Sequence, residues 1–343
     1  MNARPLIIPV FLPNLGCRDR CLFCNLKVTA EGPPSPSSVR DFIGRSISGL
    51  LSNKKKGEKQ VAFYGGSFTA MNPEDQADYL KEVQPFLASG LISSIRISTR
   101  PDALDEGVLG LLEEFGVKTV EIGVQSMNDQ VLLFANRRHR AEDTVSAVSK
   151  LRRWGFEVGM HLMIGLPGDT LDCFLESLSR VIELNPDFVR IHPTLVLKGS
   201  GLELLWKGGK YSPLSLDAAV RWLRKGLEEL ERASIPVARI GLQPTRELEK
   251  DLLAGPYHPA LRQLVDSTAL FDRAKHLLQT VAKESQVFFL CHPKDISNLR
   301  GQKNENIEKL KQEYGLKEIL IQGEEELPRG SLLLQSSAPV FGS

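Results

Sequence analysis

Phe156-Glu157-Val158-Gly159-Met160-His161-Leu162-Met163-Ile164-Gly165-Leu166-Pro167 is the stretch on which the fold turns. A short, mainly apolar run stopped by glycine and proline reads as a buried strand over residues 156–164. Helical stretches flank it, residues 140–154 before and 170–184 after. Moving outward, the alternation repeats, with strands at 94–98, 118–124 and 188–192 and a helix at 104–115. Nearer the start, strands at 6–12 and 60–64 bracket a helix capped by Ser37 or Ser38 and running to residue 52. Asn72-Pro73-Glu74 opens another, proline being tolerated in the first helical turn.

Strands alternating with helices predict a parallel sheet with crossover helices. Six such units give an α/β chain built as a partial (β/α)6 TIM-like barrel. Beyond Gly199 the pattern changes to a loop or short helix at 201–206, an amphipathic helix at 214–233 and a possible further strand at 235–242. Gly255-Pro256-Tyr257-His258-Pro259 is a rigid turn, which sets expected domains of 1–256 and 257–343. The second is a small C-terminal α/β appendage with strands at 287–291 and 318–321 and a helix at 304–314.

In (β/α) barrels the chemistry sits at the carboxyl ends of the strands. Every unusual cluster here falls there. The strands end, in turn, in a cysteine loop, Gly65-Gly66-Ser67, Ser98-Thr99-Arg100-Pro101-Asp102, Gln125-Ser126, the Gly165-Leu166-Pro167 turn and His192-Pro193-Thr194.

The cysteine loop is Gly16-Cys17-Arg18-Asp19-Arg20-Cys21-Leu22-Phe23-Cys24-Asn25, and it holds three of the five cysteines. Three thiolates are one short of the four ligands that usually close a zinc site or a cubic iron–sulfur cluster. In a [4Fe-4S] cluster, one iron would then be free to bind a small molecule. A zinc site with a distant fourth ligand, or a disulfide with a spare thiol, are the alternatives, although no second CxxC half is visible.

Net charge of +1 gives no global argument for nucleic acid or membrane. Clustered cysteines suit a reducing compartment. The first apolar run is too short for a signal peptide and no stretch has membrane-spanning length, so a soluble cytoplasmic protein with no membrane association is expected.

Taken in order, these motifs resemble the radical S-adenosylmethionine (SAM) superfamily. The nearest branch holds the catalytic subunit of elongator and its bacterial relatives, with oxygen-independent coproporphyrinogen oxidases as more distant cousins. The resemblance runs from Pro9 to about Leu264 and rests on CxxxCxxC with Phe23 before the last cysteine, Gly65-Gly66-Ser67-Phe68, Thr99-Arg100-Pro101-Asp102, Gly123-Val124-Gln125-Ser126, Asn136-Arg137 and Gly165-Leu166-Pro167. It continues through Pro193-Thr194-Leu195-Val196, Gly199-Ser200-Gly201-Leu202 and Leu205-Trp206.

The resemblance implies that Cys17, Cys21 and Cys24 bind a [4Fe-4S] cluster whose fourth iron takes the amino and carboxylate groups of S-adenosyl-L-methionine. Gly65, Gly66 and Ser67 stand where the family receives the methionine amino group, with Ser67 replacing a commoner glutamate. Thr99 is placed for ribose, Gln125 and Arg137 for ribose and the methionine carboxylate, His161 as a polar ribose ligand, and Met163 with Ile164 beside adenine. It also implies reductive SAM cleavage to a 5′-deoxyadenosyl radical, a low-potential electron donor of flavodoxin or ferredoxin type, and closure by the Trp206 loop or the appendage.

The elongator relatives modify wobble uridine in tRNA. Too few residues follow Trp206 for their acetyltransferase domain, and the first strand begins too early for their basic N-terminal arm, so the radical chemistry is expected and the acetyl-CoA reaction is not. Lys54, Lys55, Lys56 and Lys59 crowd one loop, while Arg300, Lys303, Lys309 and Lys311 interleave with Glu305, Glu308 and Glu313. The second group reads as a solvated helix face sooner than as a phosphate contact. Three functions stay open: RNA (tRNA or rRNA) base modification, reaction on a small metabolite or tetrapyrrole, and a non-catalytic iron–sulfur sensor.

Overall fold

The computed structural model describes residues 5–17, 20–25, 33–52, 57–279 and 286–335. Its elements run β1 (Leu6–Phe11), α1 (Pro36–Ser52), β2 (Lys59–Tyr64), α2 (Pro73–Lys81), α3 (Gln84–Ala88), β3 (Ser94–Thr99), α4 (Glu106–Glu114), β4 (Val117–Gln125), α5 (Asp129–Phe134), α6 (Ala141–Arg153), β5 (Glu157–Ile164), α7 (Leu171–Glu183) and β6 (Phe188–Pro193). There follow β7 (Val196–Leu197), α8 (Gly201–Lys207), α9 (Leu216–Arg232), β8 (Val237–Ile240), α10 (Arg246–Asp251), β9 (Leu252–Ala254), α11 (Leu261–Leu278), β10 (Gln286–Cys291), α12 (Ile296–Arg300), α13 (Glu305–Tyr314), β11 (Glu318–Gly323) and β12 (Leu332–Gln335).

The chain divides into two compact units, Met1–Ser215 with Gly226–Tyr257, and Leu216–Lys225 with His258–Ser343. The first carries a seven-stranded sheet in the order β1-β2-β3-β4-β5-β6-β8, every pairing parallel. This is the expected partial barrel, extended by β8 as a seventh strand. Alternation along each strand divides the sheet's two faces. Ile95, Ile97, Val120, Ile122, Val158, Met160, Leu162, Val189 and Ile191 are fully buried on one of them. Each such side chain contributes about 1.5–3 kcal/mol on leaving water. The crossover helices start where short polar residues satisfy free backbone donors: Asp105 caps α4, Asn128 caps α5 and Thr170 caps α7. A short antiparallel pair, β7 with β9, adds to this unit.

The second unit has a three-stranded sheet, β11-β10-β12, parallel between β10 and β11 and antiparallel between β10 and β12. Leu270, Ala274, Phe289, Leu299 and Leu310 centre its core.

Some expectations shift. The hydroxyl that receives a backbone donor at the start of α1 belongs to Ser35, which accepts from Ser38 N at 3.3 Å, rather than to Ser37 or Ser38. The 18-residue α11 escapes a reading by start signals because Ala260, at its cap, offers no side-chain acceptor. Helices α3, α5 and α10 are too short for periodicity to reveal.

Candidate functional site

The cysteine loop follows β1 at the carboxyl edge of the sheet and is held from three sides. Towards β2, Ser67 N donates to Leu15 O at 2.9 Å and Asn14 N to Gly65 O at 2.9 Å. Contact this close has no room for side chains. A Cβ on Gly66 would lie 2.3 Å from Leu15 O, and one on Gly16, whose φ is +71°, 2.2 Å from Ser67 O. Gly16 and Gly66 therefore seat the cysteine loop.

Towards β4, Leu22 N donates to Ala135 O at 3.1 Å and Asn136 Nδ2 to Arg20 O at 2.6 Å. Arg137 reaches the loop itself, donating through Nη1 to Cys21 Sγ at 3.3 Å and through Nη2 to Gly123 O at 2.6 Å. Its Nε is buried with no partner. Towards α8, Leu202 N donates to Leu22 O at 2.9 Å, and Leu22 and Phe23 pack against a cluster of Val196, Leu202 and Tyr211. Asn25 Nδ2 donates to Asp251 Oδ2 at 2.7 Å. A cavity of about 290 Å³ opens beside Cys21 and Cys24, lined also by Asn136, Ser200 and Leu204.

All five cysteines are free, and the three thiols of the loop act on one another electrostatically. Burial, then Cys21 and Cys17, push the Cys24 thiol up to about 11. Cys17 is the most exposed of the three, yet local desolvation raises it too, with Cys21 next. A strongly cationic guest would favour Cys17 and Cys24 as thiolates against this upward pressure. Among the described residues no group of three His, Cys, Asp or Glu side chains is gathered for a single metal ion. A donor set of three mutually coupled thiols, with an orphaned guanidinium N–H beside them, fits a polynuclear iron–sulfur group and an anionic ligand next to it.

The other candidate residues fall into three places. Ser67 and Thr99 meet through their hydroxyls at 3.1 Å, and Thr69 shares Thr99 at 2.5 Å. Both hydroxyls are thus already engaged with protein. Thr99, Gln125 and Arg137 converge around Gly123, where an added Cβ would lie 2.9 Å from Gln125 Nε2 and 3.5 Å from both Arg137 Nη2 and Thr99 O. Gln125 ends β4 in the left-handed region, at φ 65°. Met163 packs with Phe23 against Val131, Ala135 and Leu166. The Lys54–Lys56 patch lies outside the described residues, and in the second unit Lys309 pairs with Glu305, Lys311 with Glu308 and Lys275 with Glu313.

His161 belongs to a different constellation. Its Nε2 meets Glu121 Oε2, and the Glu121 carboxylate also accepts from Tyr64 OH at 2.8 Å and Arg96 Nη1 at 2.9 Å, with Arg190 Nε 2.8 Å away. Glu121 is fully buried. Burial alone would raise its carboxyl, but His161, Arg190 and Arg96 outweigh that and hold it well below the usual carboxylate range. Arg96 and Arg190 stand 4.9 and 5.9 Å from the Phe188 ring, which can lie across β5 because Gly159 has no side chain to block it. This network was missed from sequence, although a carboxylate within the otherwise apolar Val120-Glu121-Ile122 was a signal of it.

The carboxyl-edge placement of a cysteine loop on a parallel partial barrel defines the class, and the comparisons name it. The model of the radical SAM superfamily matches residues 12–181, and that of the radical SAM C-terminal domain matches 186–269. The chain belongs to the radical SAM superfamily, and it is an enzyme. A tRNA uridine(34) acetyltransferase of Methanocaldococcus jannaschii is 34% identical over 168 residues, 48% of this chain and 31% of that protein. The chain covers 34% of a second protein of that name, from Methanocaldococcus infernus, so it spans about a third of either. The uncharacterized protein YtqA of Bacillus subtilis is 30% identical over 242 residues, 69% of this chain and 72% of that one. Among solved structures, Elp3 of Methanocaldococcus infernus with an N-terminal deletion shares the fold at a TM-score of 0.60 and 22% identity, over 80% of this chain and 64% of that chain. The relatives are thus those of the elongator branch. Superfamily members in general use SAM and a [4Fe-4S] cluster and need a reductant. No helix among the described residues is long and apolar enough to cross a membrane.

Proposed function

We propose that Cys17, Cys21 and Cys24 hold a [4Fe-4S] cluster and that the enzyme uses it with SAM to modify a base in RNA. The observation that carries the reading is the set of three coupled thiols fixed beside the orphaned Nε of Arg137 at the carboxyl edge of the sheet. When bound and reduced, the cluster supplies the electron that splits SAM into methionine and a 5′-deoxyadenosyl radical.

The chain's own part is to bind and orient. Arg137, anchored on Gly123 O, offers its fork to the methionine carboxylate. Gln125, in its left-handed turn, faces the same ground for a ribose hydroxyl. With the Ser67 and Thr99 hydroxyls holding each other, the Gly65-Gly66-Ser67 segment acts towards the amino group through its backbone. Met163, beside Phe23, supplies an apolar wall for adenine and excludes water. His161, held by Glu121, is oriented from below. Residues 257–343 form a domain of their own in this reading, and a reduced flavodoxin or ferredoxin is the electron donor.

RNA as substrate is supported by relatives named tRNA uridine(34) acetyltransferase. The test has two arms. Anaerobically reconstituted and reduced protein should release 5′-deoxyadenosine from SAM, and its failure to do so with or without cell extract overturns the enzymatic assignment. Mass spectrometry of RNA nucleosides from cells with and without the gene should reveal one missing modification; an unchanged profile, with a tetrapyrrole or other metabolite accumulating instead, overturns the RNA reading.

A further inference from the structure

The interior face of the partial barrel is out of electrostatic balance, and the imbalance lies at one edge. Arg96, Arg190 and Arg239 stand on β3, β6 and β8 against a single carboxylate in their network, Glu121. Arg96 is satisfied: Glu121 takes its Nη1, and Gln60 Oε1 takes Nε and Nη2 at 3.2 and 2.8 Å. Arg190 shares Glu121 and stands over the Tyr64 ring. Arg239 has no carboxylate among the described residues; its Nη2 donates to the Gln243 amide oxygen. Arg190 and Arg239 are register partners on adjacent parallel strands, so their side chains leave the same face. His192, two residues beyond Arg190 on that face, presents an Nε2 that is buried and has no partner.

Two guanidinium groups side by side, a buried imidazole nitrogen with nothing to bond, and one shared carboxylate leave this edge rich in donors and short of acceptors. An entering oxyanion would relieve all three at once. We propose that Arg239, Arg190 and His192 receive a phosphate group of the substrate inside the partial barrel. A phosphate suits the site better than a carboxylate, because the donors that Arg190 and Arg239 have left over from Glu121 and Gln243, with an imidazole N–H, come from three separate side chains, and a tetrahedral group with several anionic oxygens meets them from more directions than a planar carboxylate. Burial, and after it the repulsion from Arg190, lowers the pKa of Arg239. The proposal rests on the proposed function, with this face of the sheet as the one turned towards SAM; in an RNA substrate, the phosphate would be one flanking the target nucleotide.

The test is calorimetric titration of inorganic phosphate, and separately of acetate, into the reconstituted protein at low ionic strength, without reductant or SAM. Phosphate should bind more tightly than acetate. R239Q should weaken phosphate about tenfold or more, R239K should keep most of the affinity, and H192F should weaken it by a smaller factor. Retained visible absorbance and circular dichroism would show that the variants are folded. Absent phosphate binding, or binding unchanged in folded R239Q, overturns the site, and acetate binding as tightly as phosphate overturns the phosphate assignment. None of these readouts requires SAM cleavage, so 5′-deoxyadenosine formation can survive the failure of this proposal, and the reverse.

Discussion

Along the strand ends, the cysteine loop is positioned almost entirely by main chain: Ser67 N on Leu15 O, Leu22 N on Ala135 O, Leu202 N on Leu22 O. On the strands themselves, the polar groups are ordered by side chains, with Glu121 tying together Tyr64, Arg96, His161 and Arg190. The rim leaves one guanidinium N–H unsatisfied and its thiols only lightly engaged, Cys21 by Arg137 and Cys24 by Asn14, while the interior satisfies its carboxylate completely and leaves cationic charge over at the β8 edge. Backbone contacts hold a loop rigid without consuming the functional groups it carries, which suits a place reserved for a cofactor. A side-chain network fixes charge, which suits recognition.

The comparison can be broken most decisively at the rim. Cys21→Ala should abolish the visible absorbance of the reconstituted protein, and an intact cluster in that variant would refute the ligand assignment. Next is the interior: Glu121→Gln removes the one carboxylate shared by two arginines and should cost about 3–5 kcal/mol in denaturant unfolding. A loss below about 1 kcal/mol would mean that the network is not the interior's organising element.

Between the two layers, His139 donates through Nε2 to Val124 O at 3.1 Å, and burial, then Arg137, press its pKa down to about 4. The unfolded chain takes up this proton first as pH falls. Its contribution is therefore complete above about pH 6.5 and is lost as pH drops towards 4. His192, pressed to about 3 by burial and by His161, acts in the same direction. Unfolding measured at pH 7.5 and 4.5 should differ by a few kcal/mol from this source, and His139→Gln should shrink the difference by about 2–3 kcal/mol. An unchanged difference would remove His139 from the account. The smallest expected effect is Gly66→Ala, about 2 kcal/mol as the loop shifts off Leu15 O, with faster loss of the cluster on dilution. Wild-type cluster retention would show that the rim does not depend on that close approach.

The sheet was legible because each strand is a short apolar run bounded by glycine, proline or a capping residue, and the rim because those strands all end in unusual residues. Cys17, Cys21 and Cys24 announce themselves by spacing. The Glu121 network has no such local signature. Its members come one to a strand, and only the parallel register, which sets His161 beside Arg190 and Arg190 beside Arg239, gathers them. The steric need for Gly66 could not be read from sequence, since the atoms that forbid a side chain there belong to Leu12 and Leu15, some fifty residues earlier in the chain.

Gly16 carries one further consequence. Its φ of +71° suits few residues other than glycine, and any Cβ would press on the Ser67 carbonyl. Together with Gly66, it fixes the cysteine loop through atoms that are missing. A library of random substitutions should therefore find the chain least forgiving where it weighs least. These two positions should tolerate fewer replacements than the bulky residues of the core, where a neighbour of similar volume can stand in.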